Sequence, residues 1–398
     1  MFSNYSECIN PFRAYEHGSA YIHPVLSGIY IHIPFCKKAC HYCDFHFSTS
    51  LQLKERLLYA VVKELNIRSN EIGDTIETIY FGGGTPSLLS KNELHQLLST
   101  IKSLFSVAHD AEITLEANPD DLSLHKLNDL KTVGINRLSI GIQSFRPQDL
   151  TLMNRAHSSS EAMQCVESAK KVGFNNISID LIYGSPDLGI EAWEENLKIA
   201  TELDIQHISA YCLTIENKTV FSKWEKTKKI TLPDDEETLN QFIRMKDYLQ
   251  NCGFEHYEIS NFGRPGFHSK HNSSYWFQKP YLGIGPSAHS FQGNTRSWNV
   301  SNNAKYIKAI EEGHSFSIME SLSAKDRFNE HLMTRIRTKW GASIEELIGI
   351  DSFMYKELRT NTIKWINDGL LIDNGSNLML SQEGLFVADT IISDLFIV

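Results

Sequence analysis

Hydrophobic and polar residues follow two alternating patterns through the first two thirds of the chain. Short runs with an apolar residue at every second position predict β-strands, and longer runs with apolar residues three or four positions apart predict amphipathic helices between them. The predicted strands cover residues 28–35, 76–81, 112–118, 137–145, 177–183 and 207–215, and the predicted helices cover residues 51–70, 92–105, 122–133, 159–172 and 191–203. Repetition of strand and helix predicts a parallel sheet with right-handed crossovers.

The predicted strands have one apolar and one polar face. In the first strand Ile29, Ile31 and Ile33 share one face, whereas Tyr30 and His32 share the other. A doubly wound sheet is covered on both faces, so its strands are usually apolar throughout. We therefore predict an α/β fold with a partial (β/α)6 TIM-like barrel, helices outside and a polar lumen whose site lies at the carboxyl ends of the strands. An open sheet with one solvated face is the alternative.

The pattern changes after residue 215. A helix is predicted over residues 234–252, followed by a region rich in Gly, Ser and aromatic residues that includes the segment HNSSYW, for which we predict a loop. From residue 325 the chain is helical, with two short apolar runs joined by Asn374-Gly375, which predicts a hairpin in a small winged-helix-like domain. Residues 325–398 contain 8 basic and 11 acidic residues, so a structural cap is favoured over a DNA-binding module.

These patterns divide the chain into four parts. Residues 1–27 form an N-terminal extension without periodicity, residues 28–218 the barrel, residues 219–324 a connecting region, and residues 325–398 the C-terminal α-rich domain. Residues 1–25 are expected to be poorly ordered and to result from a misplaced start codon.

Composition narrows the range of functions. The formal charge of −10 disfavours binding to nucleic acid, and no run approaches the roughly 18 apolar residues of a membrane span. The first residues also lack the apolar stretch of a signal peptide, so we expect a cytoplasmic protein. Seven cysteines, an odd number, indicate reduced thiols. Four scattered ones are expected to be small buried core residues, namely Cys8, Cys165, Cys212 and Cys252.

The other three cysteines lie close together in the segment CKKACHYCDF. Cys36, Cys40 and Cys43 follow the first predicted strand with the spacing C-x3-C-x2-C. Structural zinc sites usually have four protein ligands, so a zinc site would need His41 or His46 as the fourth. An iron–sulfur cluster with three cysteine ligands instead leaves one iron open to a small molecule.

The cysteine loop after the first strand of a six-unit barrel resembles that of the radical S-adenosylmethionine (SAM) superfamily. The resemblance implies that Cys36, Cys40 and Cys43 hold a [4Fe–4S] cluster whose open iron binds SAM. It also implies that an electron donor would reduce the cluster, which would cleave SAM to a 5′-deoxyadenosyl radical.

The resemblance extends to residues at the ends of later strands. In FGGGTPSLL it implies that Gly83, Gly84 and Thr85 receive the methionyl amino group of SAM, since a Gly-rich turn permits close backbone approach. A phosphate loop is disfavoured because the Lys-Ser/Thr pair is missing. The further SAM positions that the resemblance implies are Glu116, Gln143, Arg155 and Asp180, with Tyr30 and Tyr42 packed beside the cluster and its ligand.

From about residue 28 to its end, the chain resembles the oxygen-independent coproporphyrinogen III oxidase group. The matching segments include YIHIPFCKKACHYCDF, FGGGTP, DLIYG and GIGPSAHS. The oxidases have a fourth cysteine where this chain has Phe45, whereas a sister branch of heme chaperones carries the pattern H-N-x-x-Y-W. That pattern stands here as His271, Asn272, Tyr275 and Trp276, which become candidate heme contacts, with His268 and His289 as competing histidines.

We therefore expect a heme chaperone that binds heme, one [4Fe–4S] cluster and SAM, and delivers heme to an unidentified acceptor protein. The first alternative is an oxygen-independent coproporphyrinogen III oxidase, against which Phe45 argues. The second alternative is a zinc-stabilised binding module.

Overall fold

The computed structural model describes residues 27–398. The predictions for the N-terminal extension and for Cys8 lie outside the described residues. In the part that is described, no helix combines the length and the apolar character that crossing a membrane requires.

Six parallel strands form the centre of the fold and pair in chain order. They are β1 (Ser27–Ile33), β2 (Ile76–Gly83), β3 (Val107–Ala117), β4 (Arg137–Gln143), β5 (Ile177–Tyr183) and β6 (His207–Cys212). All six predicted strands are thus confirmed, although β3 begins five residues earlier than the alternating pattern does. The isoleucines at positions 29, 31 and 33 are completely buried on the outer face, as the alternation predicts.

Helices cover the outer face of these strands. They are α1 (Lys54–Ile67), α2 (Lys91–Leu104), α3 (Leu124–Val133), α4 (Pro147–Leu152), α5 (Ser159–Val172) and α6 (Ile190–Glu202). Ser90 and Ser158 begin α2 and α5 with reciprocal capping boxes, which explains why these helices start where their apolar periodicity starts. The apolar faces of the helices and strands form one continuous core.

The barrel is partial, as predicted, and its two outer strands pair with strands of the region that follows instead of with each other. The elements of that region are α7 (Val220–Lys226), α8 (Asp235–Asn251), β7 (Glu255–Glu258), β8 (Asn261–Gly263), α9 (Lys270–Trp276), β9 (Tyr281–Ile284), β10 (His289–Gln292), β11 (Thr295–Asn299), α10 (Asn303–Glu312) and β12 (Ser317–Ser321). Strand β1 pairs in parallel with β9, and β6 pairs antiparallel with β8. The resulting sheet has 12 strands.

The segment HNSSYW forms helix α9, so the prediction of a loop is wrong. The Ser269 hydroxyl accepts a hydrogen bond from the Asn272 N–H at 3.2 Å and thereby caps the helix. Seven residues are too short for an apolar periodicity to be recognised in the sequence. The helix lies against β2, at the amino-terminal end of the barrel strands.

The C-terminal part folds around its own hydrophobic cluster. It consists of α11 (Ala324–Arg335), β13 (Ala342–Ser343), α12 (Ile344–Ile350), α13 (Ser352–Asn367), β14 (Leu371–Asp373), β15 (Asn377–Leu380), α14 (Gln382–Phe386) and α15 (Ala388–Leu395). Strands β14 and β15 form the hairpin predicted at Asn374-Gly375, where Gly375 has a φ of 86°. The order helix, strand, two helices and two strands agrees with the predicted winged-helix-like domain.

Candidate functional site

A cavity of about 540 Å³ lies at the carboxyl ends of β1–β6. It brings together all but one of the residues predicted to contact the cluster or SAM. Those that line it are Cys36, Cys40, Tyr42, Cys43, Gly83, Gly84, Thr85, Glu116, Gln143, Arg155 and Asp180. The exception is Tyr30, which lies deeper in the lumen and stacks on Tyr80 with ring centroids 6.0 Å apart.

The cysteine loop is held against the barrel by backbone contacts. The Cys36 N–H donates to the Ser48 carbonyl at 3.0 Å, and the His41 N–H donates to the Met153 carbonyl at 3.1 Å. Burial raises the pKa of the Cys36 thiol, and it raises the pKa of Cys43 to about 11. These thiols therefore need a nearby positive charge to become thiolates at neutral pH.

A cluster and a single metal ion place different requirements on the three cysteines. Among residues 27–398, no three His, Cys, Asp or Glu side chains are grouped so that they could hold one metal ion. A [4Fe–4S] cluster has a different requirement, because each thiolate binds a different iron atom. All six cysteines in the described ranges are free, so none of the three is engaged in a disulfide there.

Arg155 links the cysteine loop to the strand ends. Its guanidinium donates to Cys40 Sγ at 3.2 Å and to the carbonyl of Gly141 at 2.6 Å. A further hydrogen bond of 2.6 Å goes to the Asn118 side chain, which sequence analysis did not single out. The buried Nε of Arg155 has no partner among the described residues. Arg155 therefore combines a positive charge beside a thiol with a free donor for an anionic ligand group.

The Gly-rich turn after β2 requires its glycines for two separate reasons. Gly83 has a φ of 105°, and a Cβ added there would lie 2.4 Å from the His32 ring. A Cβ at Gly84 would lie 2.7 Å from the carbonyl oxygen of Ile33. The turn thus packs backbone against backbone beside the cysteine loop, and the N–H groups of Gly84 and Thr85 donate to the carbonyls of Ile33 and Phe35.

Glu116 is a half-buried carboxyl group on this side of the cavity. It accepts hydrogen bonds from the Tyr80 hydroxyl at 2.8 Å and from the Gly83 N–H at 3.1 Å. Burial raises its pKa to about 7, and burial raises the pKa of Asp180 to about 6. Two carboxyl groups with such pKa values favour a ligand that brings positive charge.

Gln143 reaches the cavity through an irregularity in β4. The register with β5 shifts between Gly141 and Gln143, and Gln143 adopts a φ of 71°. Such a backbone conformation is unfavourable for a residue with a side chain. A Cβ at Gly141 would lie 2.9 Å from the Gln143 amide, so the glycine leaves room for that side chain.

The heme candidates lie on α9, away from the cavity. His271 is 1% exposed, and both ring nitrogens are engaged, Nδ1 with the Thr78 hydroxyl at 2.7 Å and Nε2 with the Tyr275 hydroxyl at 2.8 Å. Asn272 and Trp276 are half-buried. The two competing histidines are also removed from the cavity, since His268 stacks on Tyr257 and His289 on Trp298.

The scattered cysteines do not all behave as predicted. Cys165 is buried and Cys252 is half-buried against the core, as expected of small apolar residues. Cys212 is exposed and lines the cavity, so the prediction of a buried core residue is wrong there. It is the last residue of β6, and its position at a strand end was the signal that could have identified it.

Comparison with known proteins agrees with this geometry. Residues 30–200 match the model of the radical SAM superfamily. The chain is 33% identical over 371 residues to the heme chaperone HemW of Bacillus subtilis, covering 92% of this chain and 98% of that protein. The chain belongs to the HemW family. The HemW of Escherichia coli is 32% identical, over 91% of this chain and 95% of that protein.

The fold of this HemW-family chain also matches a solved structure. Coproporphyrinogen III oxidase from Escherichia coli, described as a radical SAM enzyme, superposes with a TM-score of 0.82. The match covers 95% of this chain and 91% of that one, at 23% sequence identity. The likeness establishes the fold of the chain.

Proposed function

We propose that the protein is a heme chaperone that binds heme, one [4Fe–4S] cluster and SAM, and transfers heme to an acceptor protein. The observation that carries this proposal is the relationship to proteins named heme chaperone HemW over nine tenths of the chain. Phe45 supports it, because this residue lines the cavity and is 70% exposed where the oxidases are expected to have a fourth cysteine.

In this proposal Cys36, Cys40 and Cys43 hold the cluster. The reduced cluster, when bound, supplies one electron to SAM. An electron donor is then a second partner. The positive charge of Arg155 and its free Nε suit the carboxylate of SAM, and Glu116 suits its ammonium group. The other proposed SAM contacts are Tyr42, Gly83, Gly84, Thr85, Gln143 and Asp180. Tyr30 lies deeper in the lumen and would act indirectly, by packing on Tyr80.

For heme we propose a groove of about 220 Å³ beside α9. Tyr275 lines it together with the rings of Tyr281 and Phe291, the cations Lys279 and Arg296, and the carboxylate of Glu330, with which Arg296 is paired. Aromatic rings suit a porphyrin face, and cations suit its propionates. Ligation of heme iron by His271 would require release of its bond to Thr78 or Tyr275.

Arg296→Ala tests this groove. We expect the variant to bind heme about tenfold more weakly, because a charge-assisted contact to a propionate is lost. Arg56→Ala, in an exposed arginine of α1, is the matched control. Equal heme affinities of wild type and Arg296→Ala would contradict the proposed groove.

The alternative of an oxidase is tested by its product. The protein is reconstituted anaerobically with iron and sulfide and incubated with SAM, a reductant and coproporphyrinogen III. We expect a loaded cluster and no protoporphyrinogen. Formation of protoporphyrinogen would contradict a chaperone without oxidase activity, and a preparation that takes up zinc but no iron would favour the zinc module.

We further propose that the protein acts in the cytoplasm. Its six described cysteines are unpaired, as is usual in a reducing compartment. The division into residues 28–218, 219–324 and 325–398 also remains our proposal, supported by the separate hydrophobic cluster of the last part.

A further inference from the structure

Helix α9 closes the amino-terminal end of the barrel lumen. The backbone N–H groups of Lys270 and His271 donate to the Glu112 carboxylate at 3.1 and 3.0 Å. Glu112 lies on β3 and is buried, with the buried Arg137 of β4 at 4.0 Å. These contacts fix the first turn of the helix to two strands of the barrel.

Contacts with three neighbouring residues hold the His271 ring in one position in the lumen. Thr78 of β2 and Tyr275 of α9 engage its two nitrogens. On the β1 side, Gly28 leaves the space that the ring occupies. A Cβ added to Gly28 would lie 3.3 Å from the His271 ring and 2.7 Å from the Thr78 hydroxyl.

The other face of the ring touches the residue that holds Glu116. His271 stacks on Tyr80 with ring centroids 4.9 Å apart and planes inclined by 21°. The Tyr80 hydroxyl in turn donates to Glu116 Oε1 at 2.8 Å. Gly82 leaves room for this arrangement, since a Cβ there would lie 2.8 Å from Tyr80 and 3.0 Å from Glu116.

We infer that His271 is a positioning residue for the SAM site, acting through the Tyr80 ring on the Glu116 carboxylate. The inference rests on the proposed role of Glu116 in binding the SAM ammonium group. His271 lies at the amino-terminal end of the barrel strands, and in this inference it affects the cavity at their carboxyl ends. Stacking holds the Tyr80 ring, and the ring directs its hydroxyl, so the carboxylate keeps one orientation before SAM arrives.

The test measures SAM affinity by equilibrium dialysis on anaerobically reconstituted protein. Tyr80→Phe retains the ring and removes the hydrogen bond to Glu116, and we expect SAM to bind about tenfold more weakly. His271→Ala removes the stacked ring and should weaken binding to a similar extent. In the double variant the two losses should not add, because both act on the same carboxylate.

Two further variants separate positioning from general damage. His271→Phe preserves a stacking ring and should bind SAM more tightly than His271→Ala does. Ser273→Ala, on the same helix, should bind SAM as wild type does. Iron content and the unfolding temperature are recorded for every variant. If His271→Ala fails to fold, Tyr80→Phe and His271→Phe still provide the comparison with Ser273→Ala.

Unchanged SAM affinity in Tyr80→Phe and His271→Ala would overturn the inference, as would fully additive losses. A His271→Ala protein that loses heme binding but retains SAM affinity would also overturn it. Wild-type protein with a loaded cluster and no affinity for SAM would instead contradict the proposed SAM site, so the two failures are distinguishable.

Discussion

The carboxyl group of Glu116 lowers the stability of the ligand-free protein, although we propose that it binds the ammonium group of SAM in the complex. It lies between Tyr80 and Gly83, and burial raises its pKa to about 7. The folded protein therefore retains a proton that the unfolded chain releases at about pH 4.5. A positively charged ligand group at this position would reverse the effect of burial.

The difference in stability between Glu116→Gln and wild type should depend on pH. As the pH rises from about 4.5 to about 8, the folded wild type loses stability relative to the unfolded chain, because folding then opposes ionisation. The neutral variant has no such ionisation, so its stability relative to wild type should increase by about 3 kcal/mol across the window, because one pKa unit corresponds to about 1.4 kcal/mol. Thermal unfolding of the ligand-free proteins measures it, with Glu167→Gln on α5 as the control. A difference that does not change with pH would contradict the prediction.

Gly83→Ala should destabilise the protein because no other residue suits its backbone. Its φ of 105° and the 2.4 Å approach to the His32 ring both oppose a side chain. We expect a loss of about 2 kcal/mol or more in the free energy of unfolding, and weaker SAM binding. Gly73→Ala is the matched control, since its Cβ would meet no atom within 4 Å. Equal unfolding temperatures of the two variants would refute this explanation.

Residues at strand ends were predicted in part. Cys36 was identified by its spacing from Cys40 and Cys43, whereas Glu116, Arg155 and the Gly-rich turn were identified by the resemblance to the radical SAM superfamily. Asn118 was missed because its role arises from a contact with Arg155, which is 37 residues away. Cys212 was missed because the exposure of a strand end depends on the loops around it.

At the scale of elements, periodicity predicted what is long and regular. The six barrel strands and the helices from α1 to α6 have clear apolar faces, apart from the short α4. Strands β7 to β12 have three to five residues each, and the barrel strands with which β8 and β9 pair, β6 and β1, lie far away in sequence. No local pattern can show that β9 extends the sheet beside β1, or that α9 is a helix.

A buried polar network attaches these late strands to the barrel. Arg68, which directly follows α1, donates to Glu64 at 3.1 Å, to the Gly283 carbonyl at 2.8 Å and to Ser290 at 3.1 Å. Asn299 and Tyr306 complete the surroundings of Glu64. The network thus joins a barrel helix to β9, β10 and β11.

Arg68→Ala should therefore loosen the attachment of β9. Removal of one partner leaves Glu64 as an uncompensated buried charge, which costs about 3–5 kcal/mol. Thermal unfolding measures the loss, and hydrogen exchange at residues 281–284 should become faster. Arg56 of α1 forms an exposed ion pair with Glu311 of α10, and Arg56→Ala should leave the unfolding temperature and the hydrogen exchange unchanged. Unaltered exchange in Arg68→Ala would contradict this role of the network.

Across the whole molecule, the two largest of the three hydrophobic clusters of the described residues serve different purposes. The larger one surrounds the barrel and supports the cavity, while the smaller one holds the C-terminal domain. The clusters share no fully buried residue. The hairpin of the C-terminal part was predictable from Asn374-Gly375, whereas the packing of its helices was not.

Phe328→Ala tests the independence of the two clusters. Phe328 is fully buried in the C-terminal cluster, so its truncation should cost about 3–5 kcal/mol. We expect lower thermal stability with iron content and SAM affinity close to wild type. Phe81→Ala, in the core of the barrel, should instead reduce all three quantities. Loss of SAM binding in folded Phe328→Ala would contradict the separation.

The proposal that this member of the HemW family is a heme chaperone can be tested by titrating the reconstituted protein with heme and following the Soret absorbance. We expect a saturable Soret band, distinct from that of free heme, and its loss when a heme-free globin is added as an acceptor. A titration without saturation, in protein whose cluster is loaded, would refute a role as heme chaperone.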